Sequence, residues 1–127
     1  DYSLLITFVF FFIFSGNLGE IPALKALLED LMSGSALLTS AIASQFISNV
    51  PASVLLAGFT EDWRGLLLGV DLGGLGTPIA SLASLISLKF FMQLKNVRTS
   101  HYLIRFTIAN FLMLALLLLL AVILKAA

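Results

Sequence analysis

The chain has no cysteine, a single histidine and a single tryptophan, and only 11% of its 127 residues are charged. Without cysteine there are no disulfides, no thiolate metal sites and no cysteine nucleophile. The one histidine, His101, lies in a basic loop away from the polar residues of the apolar runs. With no cysteine and the histidine placed there, no enzyme is expected. Formal net charge is zero, so the basic excess of a nucleic-acid binder is missing as well. Charge is scarce against the ~25% of soluble domains, while hydrophobic residues make up 60% and mean hydropathy is +1.09. A soluble fold of this size has too little interior to hide that much apolar surface. Several runs approach the ~20 residues that cross a bilayer core. The chain reads as an all-α, multi-pass integral protein of a cell membrane, one transmembrane module over 1–127.

The sequence opens at Asp1, without methionine, onto the apolar run Tyr2 to Phe14. An acidic rather than basic flank argues against a signal peptide. The end of a transmembrane helix is expected over 2–16, closed by Gly16-Asn17-Leu18-Gly19, since glycine and asparagine adopt helix-ending backbone angles cheaply. Segment 20–33 differs: Pro22 suits a first helical turn, and Ile21, Leu24, Leu27, Leu28, Leu31 and Met32 recur at helical spacing with Glu20, Lys25, Glu29 and Asp30 on other faces. It reads as an interfacial helix lying on the membrane, or a surface helix packed on protein.

Segment 35–60 is apolar but interrupted by Ser44-Gln45-Phe46-Ile47-Ser48-Asn49-Val50-Pro51-Ala52. Pro51 has no backbone donor, clashes with a helix continuing through it, and pushes Val50 towards an extended conformation. A break is expected here, with Ser48 or Asn49 capping the helix that restarts. Helices over Ala36–Ile47 and Ala52–Phe59 would each be too short to cross ~30 Å of hydrocarbon. Either the segment is one span kinked at Pro51, or it is a re-entrant hairpin. Glu61-Asp62-Trp63-Arg64 is a polar turn, with Trp63 suited to headgroup depth.

Segment 65–92 is long enough to cross, yet Gly73, Gly74, Gly76 and Pro78 fall within six residues and break it in the middle. Its second piece, Ile79 to Phe91, carries Ser81, Ser84 and Ser87 among alanines, a small-residue face for close helix packing. Segment 102–124 is the last span, with Asn110 as an amide bridging to a neighbouring helix. Lys89, Lys95, Arg98, His101 and Arg105 form the one cationic cluster, which places loop 93–101 in the cytoplasm and the C-terminus outside. A hairpin at 35–60 puts the interfacial helix outside and Asp1 inside; a kinked span reverses both.

Lipid offers no partner for backbone N–H and C=O groups, so two interruptions are tolerable where they face each other or a wet cavity. Discontinuous helices build mid-membrane sites in secondary transporters, with half-helix N-termini towards anions and freed carbonyls towards sodium. Ser48, Asn49 and Thr77 supply side-chain polarity at the two breaks, and Gly74 and Gly76 allow close approach to the backbone. Asp71, the acid in the middle of a span, reads equally as a cation ligand or proton carrier and as a carboxylate bonded to freed backbone N–H groups.

Ser48-Asn49-Val50-Pro51, followed by Gly-Gly-Leu-Gly-Thr-Pro-Ile-Ala-Ser-Leu-Ala-Ser-Leu-Ile over 73–86, resembles the C-terminal half of an ion-transporter superfamily permease. That superfamily includes divalent-anion/sodium symporters, citrate and arsenite permeases and some sodium/proton antiporters. The resemblance implies a re-entrant hairpin for 35–60, an unwound segment near 73–78, and one half of an inverted-repeat fold. It implies cation-coupled transport of a small anion by alternating access, no organic cofactor, a missing N-terminal half, and a homodimer when complete. Ser48 and Asn49 match a hairpin-tip substrate motif in which Val50 replaces a threonine, and Thr77 and Pro78 match the second substrate loop. A sodium site would draw on oxygens around Ser44, Ile47, Asn49 and Gly76, with Asp71 added from the reading above; a proton is the other coupling ion. Arsenite permeation, sodium/proton exchange and a non-transporting scaffold subunit are the alternatives.

Overall fold

A computed structural model describes residues 2–126, and every regular element among them is helical. Asp1 and its sidedness lie outside the described residues. Helix α1 covers Tyr2–Gly19 and α2 covers Pro22–Gly34, with α3 at Ala36–Ile47 and α4 at Asn49–Leu56. A 3-10 turn follows at Ala57–Phe59, then α5 at Trp63–Gly73, α6 at Leu82–Met92 and α7 at Thr99–Ala126. Two of these, α1 and α7, are long and apolar enough to cross a membrane. Helix α1 runs to Gly19, the last residue of the closing Gly16–Gly19 motif, and Asn17 Nδ2 donates to the Ile13 carbonyl one turn back.

The turn from α2 to α3 is bent by 120° at Ser35. Extended at φ −165°, this residue ends α2 and starts α3, its hydroxyl accepting from Leu38 N. Thr39 Oγ1 donates to the Leu31 carbonyl across the bend at 2.9 Å.

At Ser48 the chain doubles back. Ala36 at the start of α3 shares a buried cluster with Leu56 and Phe59 at the far end of the next arm, together with Met32, Ala52, Leu66 and Val70. A continuous helix from Ala36 to Leu56 would hold its ends about 30 Å apart, so α3 and α4 form a hairpin. Pro51 is not where the helix fails. It sits in the first turn of α4, where its missing N–H costs nothing, and Val50 is helical. The unusual backbone belongs to Ser48, at φ 72° and ψ 153°.

Helix α5 runs parallel to α3 at close range. Side chains added at its glycines would strike α3 in order: Gly65 at Ala36, Gly69 at Ser40 and the Leu37 carbonyl, Gly73 at Ala41 and Ser44. Glycine every fourth residue removes one ridge from α5, and Ala36, Ser40 and Ser44 present the matching low face of α3. The small-residue packing expected of α6 is found here instead. No residue of α6 is buried, and Ser81 and Ser84 bond to each other at 2.9 Å as part of the α6 cap.

Helix α7 runs back along α5 and α6. Lys125 lies 3.8 Å from Asp62 at the start of α5, and Tyr102 stacks on Phe91 at the end of α6 with ring centroids 4.1 Å apart. Tyr102 and Lys125 stand about 35 Å apart along α7 at 1.5 Å per residue, and α5 and α6 with the segment between them cover that distance. Among the described residues Asn110 bridges to no neighbour: its Nδ2 donates to the Phe106 carbonyl in its own helix. Ser15 makes the unforeseen link of α1 to the bundle, donating to the carbonyls of Val54 and Leu55 in α4.

Candidate functional site

The two helix breaks meet, and Gln45 joins them. Located on the last turn of α3, Gln45 directs its amide across to the segment that follows α5. Nε2 donates to the carbonyls of Gly73 at 2.7 Å and Leu75 at 2.9 Å, and Oε1 accepts from Thr77 N at 3.0 Å. Thr77 Oγ1 returns a bond to the Gln45 carbonyl at 3.0 Å. One amide side chain thus satisfies two carbonyls and one N–H that lost their helical partners when α5 ended. Gly76 makes room for it: its φ of +110° suits glycine, and a Cβ there would collide with Gln45 Oε1.

The hairpin tip is anchored from the other direction. Asn49 N donates to the Ala80 carbonyl at 2.8 Å, and Ser48 Oγ reaches the same carbonyl at 3.4 Å. Asn49 Oδ1 accepts from its neighbour Val50 N at 2.9 Å, and Ser48, the N-cap residue of α4, makes no side-chain cap bond. Helix α6 is capped by Ser81, whose Oγ accepts from Ser84 N.

Several groups at this junction stay uncommitted. Asn49 Nδ2 makes no hydrogen bond among the described residues and lies beside Gly74, where an added Cβ would sit 3.0 Å from it. The carbonyls of Phe46 and Ile47 end α3 without a hydrogen-bond partner among the described residues. A free amide donor is suited to an anion, and two free carbonyls at a helix C-terminus are suited to a cation. No charged side chain takes part in the junction, so its electrostatics come from helix ends and amides.

Of the residues singled out in the sequence, the structure brings Ser48, Asn49, Gly74, Gly76 and Thr77 to one junction around Gln45 and Ala80. Pro78 lies in the segment between α5 and α6 and bonds to none of them. Ser44 is fully buried against Gly73, its Oγ donating to the Ser40 carbonyl, which makes it part of the helix packing. Ile47 and Val50 project outward beside the tip, 36% and 44% exposed. Asp71 is exposed and stands apart from the junction: it lies two residues from both Gly69 and Gly73, on the side of α5 turned away from α3. Its side chain bonds to no freed N–H among the described residues.

Gln45 and Ala80 were missed, as was the Gly65–Gly69–Gly73 stripe. The stripe has a readable signal, glycine at four-residue intervals opposite Ala36, Ser40 and Ser44. Gln45 was visible as an amide beside the break. Nothing in the sequence told that its partners would be backbone groups about thirty residues on.

The fold and this junction define an all-α membrane protein in which a helical hairpin and a broken helix are locked together at their interruptions. The chain is 36% identical over 104 residues to a protein of Methanocaldococcus jannaschii named as an uncharacterized transporter, a match covering 82% of this chain. It is 38% identical over 92 residues, 70% of its length, to the Escherichia coli inner membrane protein YbiR. The matches cover 29% and 25% of those two relatives, so the chain corresponds to under a third of each. No family model matches the chain, and no solved structure matches it.

Proposed function

We propose that the chain forms the C-terminal half of a secondary active transporter that moves a small anion by alternating access, coupled to sodium or protons. The observation that carries this reading is the junction itself: two helix interruptions hydrogen-bonded to each other, with a free amide donor and free helix-end carbonyls on the same tip. The name of the Methanocaldococcus jannaschii relative supports transport. In this reading Ser48, Asn49 and Thr77 contact the anion, with Val50 beside them, Pro78 shaping the loop, and Gly74 and Gly76 leaving the backbone approachable. Carbonyls near Ile47 and Gly76 hold the cation with help from Asn49, and Ser44 supports them from within the helix packing. Asp71, facing outward, acts on coupling through the other half of the protein rather than at the junction. Two such halves build the site, and the intact protein pairs as a homodimer.

Radiolabelled uptake by the intact protein in liposomes tests this. Small di- and tricarboxylates and inorganic anions, arsenite included, are offered with sodium or proton gradients. Asn49→Asp keeps the Oδ1 acceptor for Val50 N while losing the Nδ2 donor, so uptake falls at least about tenfold while the melting temperature holds. If no solute moves, the scaffold reading replaces transport. If uptake survives Asn49→Asp unchanged, the tip is not the anion site. Cysteines introduced at Lys25 and Glu61 label from one face and a cysteine at Lys95 from the other.

A further inference from the structure

The end of the bundle opposite Asp62 carries a second, separate feature. Between α6 and α7, Arg98, His101 and Arg105 line an open cavity of about 450 Å³ with Phe91, Tyr102 and Phe106. The three rings form a continuous apolar wall, with centroids 4.1 Å apart for Phe91 and Tyr102 and 5.7 Å apart for Tyr102 and Phe106. His101 and Arg105 are four residues apart and Arg98 is three before His101, so the basic groups follow one another on one side of the α7 entry. None of them pairs with an acid: the ion pairs among the described residues are Lys25–Glu29 and Lys125–Asp62.

Depth follows from the same helix. Arg105 and Lys125 have no charged residue between them, and as helix they stand about 30 Å apart, the thickness of a hydrocarbon core. Arg105 therefore marks the edge of the hydrocarbon, and Arg98 and His101 lie one to two turns further out, among headgroups. The N-terminal end of α7, whose dipole favours negative charge, opens at the same place.

We infer that this cavity binds the headgroup of an anionic phospholipid. Arg98 and Arg105 hold the phosphate with paired guanidinium hydrogen bonds, His101 adds a donor, and the upper acyl carbons lie against Phe91 and Phe106. The aromatic wall separates a lipid from phosphate in solution, because a free phosphate gains nothing from the rings. The inference is independent of what the protein transports.

The test is native mass spectrometry of the intact protein in detergent, offered phosphatidylglycerol and phosphatidylcholine in equal amounts. Phosphatidylglycerol is retained at least about tenfold better, and excess inorganic phosphate does not displace it. The double variant Arg98→Gln/Arg105→Gln retains both lipids equally. Lys89→Gln, at the same end but outside the cavity, keeps the preference. Equal retention of the two lipids by the unmodified protein overturns the inference whether or not the variant folds. Displacement by inorganic phosphate, or an unchanged preference in a monodisperse double variant, overturns it as well.

Discussion

The break between α3 and α4 is one residue long and turns the chain back on itself, whereas the break between α5 and α6 runs from Gly74 to Ser81. The short break concentrates its cost in a single backbone, Ser48 at φ 72°, and frees few groups because α4 restarts at once. The long break frees many groups and has no charged side chain to bond them. Each depends on the other: Ala80 of the long break receives the N–H of Asn49, and Gln45 beside the short break receives the loose ends of α5. What differs is rigidity. A one-residue break has almost no freedom to rearrange, while the Gly74–Ser81 segment is held mainly by the side-chain bonds of Gln45 and Thr77.

Perturbations that separate the two breaks sharpen this contrast. The largest effect is expected from Gly69→Ala, which touches neither break directly but sets the distance between them. Its Cβ would press on the Leu37 backbone, which cannot swing aside, and the predicted loss is about 3 kcal/mol of stability. Thermal unfolding in detergent reads it; an unchanged midpoint would show that α3 and α5 are less tightly apposed than described. Gln45→Leu comes next. It leaves two carbonyls and one N–H of the long break without partners, at a cost of about 2 kcal/mol. Hydrogen exchange should then rise at Leu75–Thr77 and not at Val50–Ser53; equal rises at both would mean that the breaks act as one unit.

Thr77→Val removes one hydroxyl bond to the Gln45 carbonyl and costs about 1 kcal/mol. The smallest effect is expected from Ser48→Gly. Glycine adopts positive φ without strain, so stability should hold or rise by less than about 1 kcal/mol. If Ser48 contacts the anion, uptake falls nonetheless, and the variant separates a strained turn from a binding group. A clear loss of stability would instead give the 3.4 Å bond to Ala80 more weight than its length suggests.

Much of the fold was legible because apolar length and helix breakers act locally. The apolar runs of α1 and α7, the amphipathic α2 and the interruption at Gly73–Pro78 follow from composition and from the backbone chemistry of glycine and proline. The exact start of α4 was less so. Pro51 advertised a break, but proline is tolerated in a first turn, so the discontinuity moved to Ser48. The serines of α6 misled for a related reason: small polar side chains serve caps and helix contacts alike, and spacing does not choose between them.

An all-helical membrane protein with two interrupted segments follows from residue order alone, because solvent transfer and backbone sterics are properties of a residue and its neighbours. Packing had to settle that Ser48 is a reversal rather than a kink, that Gly65, Gly69 and Gly73 seat α5 on α3, and that Gln45 closes the second break. Those outcomes depend on which backbone groups, left unpaired by one segment, come within hydrogen-bond reach of another, and that distance is set only when the helices pack.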